Sequence, residues 1–105
     1  MAYVYQVSFD IPLDRQDELE VGSSLERVLG FLRVNLPSEP GYTSARAVYS
    51  LDIPEHIRIV VQSVWDHWED LLTHKRSALA EDKILSEFAY LTPEMLEIHA
   101  FREVD

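Results

Sequence analysis

Cysteine is absent from this 105-residue chain, which excludes a disulfide framework, a thiolate metal site and a cysteine nucleophile. Basic residues are scarce: 9 Lys plus Arg stand against 19 Asp plus Glu, a formal net charge of −10. Phosphate backbones and anionic membrane surfaces repel that balance, so neither nucleic acid nor a membrane is expected as a partner. Glycine is sparse, at three residues, and no repeat, linker or low-complexity tract interrupts the chain. Apolar runs are short and the N-terminal MAYVYQVSFDIP carries no basic segment, so a membrane span and a signal peptide are both unexpected. The cytoplasm is the expected compartment. What is present is a 47% hydrophobic content spread along the whole length, which fits one folded domain over residues 1–105.

The hydrophobic period changes several times, and the order of the changes defines a fold class. Residues 2–10 alternate, with Tyr3, Tyr5, Val7 and Phe9 on one side and Val4, Gln6, Ser8 and Asp10 on the other, which predicts a strand ending at Pro12. A helix follows, with Asp14 as N-cap, acidic Asp17 and Glu18 in its first turn, and an apolar stripe of Val21, Leu25, Val28, Leu29 and Leu32. Gly22 and Gly30 weaken that helix and are expected to permit close packing on a sheet. Pro37, Pro40 and Gly41 close it, and extended segments follow at Tyr42–Leu51 and Ile57–Trp65. Asp66, with Glu69 three residues on, has the spacing of a helix cap. Trp68, Leu71, Leu72 and Leu79 form the expected buried stripe, and a second helical piece runs over Ser77–Leu91. Met95–Glu103 returns to strand. The sum is an α+β, ferredoxin-like βαββαβ protomer with a four-stranded antiparallel sheet. Two helices cover only one face of such a sheet, and the other face carries valines. A homodimer that pairs the bare faces is therefore expected.

The segment Val64-Trp65-Asp66-His67-Trp68-Glu69-Asp70-Leu71-Leu72-Thr73-His74 resembles the signature of the antibiotic biosynthesis monooxygenase family, in which a strand ends in Trp, a helix starts, and a His follows nine positions after the Trp. Pro40-Gly41-Tyr42 is similar to the family's PG step into the second strand. The resemblance implies a dimeric α/β barrel with a pocket between sheet and helices. It also implies an activity such as cofactor-independent monooxygenation of a small aromatic or quinol-like molecule. Other relatives break down haem, but those tend to carry an Asn in the first strand, where this chain has Gln6 and Ser8.

Trp65 can serve as a flat wall for an aromatic ligand with its indole N–H as a donor, or as a core anchor at the strand–helix junction. His74 can take a phenolic proton near neutral pH or ligate haem iron, or it can be a helix-end histidine whose proton affinity Lys75 and Arg76 depress. Trp65 and His74 are the candidate catalytic pair. Gln6, Ser8 and Gln62 point the same way from the first and third strands, either to orient a substrate oxygen or to hydrogen-bond across a dimer. Tyr5, Tyr42 and Tyr49 are further donors that spacing does not rank. Arg33, Arg46, Arg58 and Arg102 fit surface ion pairs better than an anion site. His56, His67 and His99 complete the histidines. His67 and His74 lie ~10 Å apart along a helix, so no metal site is expected. Three functions remain open: a cofactor-independent monooxygenase, a haem-binding or haem-degrading protein, and a non-catalytic small-molecule-binding dimer.

Overall fold

A computed structural model describes residues 1–12 and 18–104. Its elements are β1 (Tyr3–Pro12), α1 (Glu18–Asn35), β2 (Tyr42–Tyr49), β3 (His56–Trp65), α2 (Trp68–Ser77), α3 (Leu79–Glu87) and β4 (Glu97–Arg102). The expected cap at Asp14 and the acidic Asp17 lie outside the described residues. The sheet is antiparallel with strand order β2-β3-β1-β4, so the two strands with the strongest alternation occupy its centre. This is the expected ferredoxin-like α+β arrangement.

Register follows the pattern of burial. β1 pairs with β3 through Tyr5↔Ser63, Gln6↔Gln62 and Val7↔Val61, which sends Tyr5, Val7, Phe9 and Ile11 to the helix side together with Ile59, Val61 and Trp65. A one-residue slip would turn this whole set outward, and that penalty holds the register. The α1 stripe lies over it, with Val21, Leu25, Val28 and Leu32 buried and Leu29 half-buried. Arg33 fastens the end of α1 to β2 by donating to the carbonyl of Ala45 (2.9 and 3.2 Å), and Arg27 bridges α1 to Glu87 of α3 at 2.6 Å. Among the described residues no helix is long and apolar enough to cross a membrane.

Several local expectations are corrected. Asp66 does not cap α2: its carboxylate accepts from Thr43, and His67 holds the N-cap position without a side-chain cap. Trp68 is 41% exposed rather than buried, its ring set against Tyr3, while His74 takes a place in the buried stripe of α2. The second helical piece is shorter than expected and ends at Glu87. Gly22 and Gly30 mediate no close packing, because a Cβ at either would meet nothing within 4 Å. Gly30 is exposed in mid-helix, so Gly30→Ala should stabilise the protein by roughly 0.5–1 kcal/mol. A urea titration checks this: the midpoint rises at unchanged slope. Gly41 is different, with φ of 78° and Asp70 Cβ only 3.0 Å from where its own Cβ would sit. Its carbonyl accepts from the Asp66 N–H, which ties the loop before β2 to the end of β3.

Candidate active site

Trp65 ends β3 at 1% exposure, and its indole lies over the imidazole of His74 (centroids 4.8 Å apart, planes at 28°). That imidazole and the Tyr5 ring meet edge to face, with centroids 5.1 Å apart and planes at 85°. His74 is itself only 5% exposed. Tyr5 is next to its β4 and β3 neighbours on the helix side, and its hydroxyl donates to Glu81 of α3. One ring thus links a residue near the end of α2 to a residue in the first turn of α3.

The connection depends on the break between the two helices. In a continuous helix, positions 74 and 81 would share a face but stand about 10 Å apart along the axis. Ala78 adopts the left-handed conformation (φ 55°, ψ 22°), ends α2 and starts α3. A non-glycine residue in that region is strained by roughly 1–2 kcal/mol. The turn is held by the Ser77 hydroxyl, which donates to the His74 carbonyl at 2.6 Å. It is also held by the Ala78 N–H on the Lys75 carbonyl.

The polar atoms here are few and incompletely paired. Neither ring nitrogen of His74 nor Oε2 of Glu81 has a hydrogen-bond partner among the described residues. A buried polar atom without a partner costs about 1–3 kcal/mol, so three in one place are a concentrated liability. Burial lowers the His74 pKa to about 4 and keeps the imidazole neutral at neutral pH, with one nitrogen as donor and the other as acceptor. The expected direction is right, but its cause is burial rather than Lys75 and Arg76. The Tyr5 phenol is pushed well above its usual value, by burial first and then by its hydrogen bond to Glu81 and that carboxylate's charge. It therefore stays protonated.

The structure joins only part of the expected site. Trp65 and His74 meet, but the indole N–H is not free, since it donates to Ser63 at 2.9 Å. Gln6, Ser8 and Gln62 lie on the opposite face of the sheet and cannot share a ligand with His74. There Gln62 donates to Gln6 and accepts from Arg46, both at 2.8 Å, and His99 stands beside Gln6 in register. Arg58 pairs with Asp10 on the same outer face and holds that carboxyl below its ordinary value by hydrogen bonding. None of the four candidate arginines is bonded to the Trp65–His74 group. Among the described residues no group of three or more His, Asp or Glu is placed to hold a metal ion. His74, the candidate haem ligand, is stacked on Trp65 and packed against Tyr5 at 5% exposure.

Glu81 is the site residue that sequence reasoning missed. A signal existed: Glu81, Ile84, Leu85 and Phe88 follow helical spacing, so an acid occupies an apolar stripe.

No protein-family model matches the sequence, and none of the curated proteins does. Solved structures do match over nearly the whole chain. A candidate antibiotic biosynthesis monooxygenase from Nitrosomonas europaea is 18% identical at TM-score 0.57, covering 98% of this chain and 90% of that one. SnoaB, a cofactor-independent oxygenase from Streptomyces nogalater, is 14% identical at TM-score 0.64, covering 99% and 94%. A dimeric ferredoxin-like protein of unknown function from Jannaschia sp. CCS1 is 12% identical at TM-score 0.65, covering 96% and 99%. The chain therefore has the ferredoxin-like fold seen in these solved structures, an antibiotic biosynthesis monooxygenase candidate and a cofactor-independent oxygenase among them.

Proposed function

We propose that the protein is a homodimeric monooxygenase that acts on a small phenol or quinol without a bound redox group. The observation that carries this reading is the buried, neutral His74 imidazole, stacked on an indole with both nitrogens unpartnered among the described residues. A phenol is a poor electron donor to O₂ and its phenolate a good one, so removing the proton in a dry interior can replace a cofactor. His74 accepts the proton, and the phenolate formed beside it stabilises the imidazolium in turn. Trp65 holds the ring flat. In the overall reaction one oxygen atom becomes a quinone carbonyl. The other leaves as water with the phenolic hydrogen and one ring hydrogen, and the substrate supplies all four electrons. A phenol ring is no larger than a tyrosine side chain, so it asks far less rearrangement of the α2–α3 corner than a macrocycle does.

The second copy covers the outer face of the sheet. Val4, Val60 and Val64 are half-buried there even in one chain, and Val48 and Phe101 are 46% and 47% exposed. The row Arg46, Gln62, Gln6 and His99 crosses this apolar field, so Gln6 and Gln62, with Ser8 beside them, belong to the dimer contact. Light scattering at micromolar concentration should give twice the chain mass. A stable monomer there sinks the dimer.

A phenol panel running from monocyclic phenols through 1-naphthol to tricyclic ones, followed by oxygen electrode and quinone absorbance, tests the activity. One O₂ should disappear per quinone formed. No uptake across mono- to tricyclic phenols overturns it. A second reading, a non-catalytic binding dimer, is favoured by the closed packing of Tyr5, Trp65 and Leu71, each at 2% exposure or less. Phenol binding without oxygen uptake would decide for it.

A further inference from the structure

Glu81 has no part in the chemistry above, yet it is a carboxylate at 8% exposure with one oxygen on Tyr5 and the other without a partner among the described residues. His74 flanks the same tyrosine ring. The free groups around Tyr5 are therefore two hydrogen-bond acceptors (a carboxylate oxygen and one imidazole nitrogen) and one imidazole donor. Among the described residues no arginine or lysine is bonded to Glu81. We infer that Glu81 is the specificity-determining residue of this site, selecting a neutral aromatic ligand that donates hydrogen bonds and rejecting one that carries a carboxylate.

The physical basis is sign and dielectric. In a water-poor interior, two like charges a few ångströms apart repel far more than in solvent. A hydroxyl, in contrast, satisfies the free oxygen of Glu81 with a charge-assisted hydrogen bond. An acidic interior acceptor suits a diol or phenol and is a poor host for an aromatic acid. The inference rests on the small-aromatic reading of the site, but it concerns binding alone.

The test is calorimetric titration under nitrogen with two probes of similar size, 4-hydroxybenzyl alcohol and 4-hydroxybenzoate, at pH 7.5. The wild-type protein should bind the alcohol at least roughly tenfold more tightly than the acid. Glu81→Gln, which keeps the acceptor for Tyr5, should bring the two affinities to within about threefold of each other. Tyr5→Phe, which leaves the carboxylate in place, should preserve the preference. Equal affinities in the wild-type protein, a preference for the acid, or no binding of either probe at millimolar concentration overturns the inference. If Glu81→Gln does not fold, the wild-type ratio alone decides. Selective binding of the alcohol without oxygen uptake on any phenol would refute the oxygenase and leave the charge selection standing. Oxygen uptake on acidic and neutral phenols alike would do the reverse.

Discussion

His74→Phe is expected to lower the turnover of a phenolic substrate by ~10²–10⁴-fold while leaving the protein folded, because it removes the proton acceptor and keeps the aromatic stack on Trp65. Alanine is the wrong probe at this position. His74 is almost fully covered, so truncation opens a gap against Trp65 and Tyr5, and lost stability would be confused with lost chemistry. Single-turnover oxygen uptake at saturating phenol, together with near-ultraviolet circular dichroism, separates the two effects. Unchanged turnover in a folded His74→Phe protein removes the imidazole from the mechanism and leaves Trp65 as packing.

The same substitution governs the response to acid. His74 titrates at about 4 in the folded protein, because burial penalises the charged ring, against ~6.5 in an unfolded chain. Between those values the unfolded state binds a proton that the folded state does not, so stability falls as pH falls. It is complete above ~6.5, and about 3 kcal/mol is lost by the time the pH reaches the folded value. Asp10, held down chiefly by its hydrogen bond from Arg58, and Glu87, held down chiefly by Arg27, lose their contributions only at lower pH. The loss above pH ~5 should therefore belong to His74. Urea midpoints from pH 7 to pH 4.5 should slope in the wild-type protein and run nearly flat in His74→Phe. Equal slopes in both would show that the imidazole is protonated at little cost and is not sealed from water.

The centre of the fold was legible because it rests on short-range repetition. β1 alternates along most of its length, β3 carries apolar residues on both faces as a central strand does, and the α1 stripe recurs at helical spacing, so these elements could be read from the pattern alone. Errors gathered where two elements compete for one side chain. Asp66 has the chemistry of a cap, but Thr43 across the sheet end claims its carboxylate. Trp68 fits the α2 stripe by spacing, but at the helix start it meets the sheet through the Tyr3 ring and stays 41% exposed. The pairing of Trp65 with His74 was readable as a spacing, whereas the loss of the indole N–H to Ser63 was not.

Sequence periodicity by itself determined the strands, the helix face that is buried and the presence of an uncovered sheet face. Side-chain direction repeats every two residues in a strand and every 3.6 in a helix, whatever lies opposite. Only the tertiary structure decided which polar groups meet. Tyr5 and Glu81 are 76 residues apart and come together because the left-handed turn at Ala78 breaks the helix and brings the first turn of α3 to the Tyr5 hydroxyl. Gln6 and Gln62 were separated from His74 by the thickness of the sheet itself. Contact between distant residues depends on where whole elements come to rest, and no local repeat encodes that.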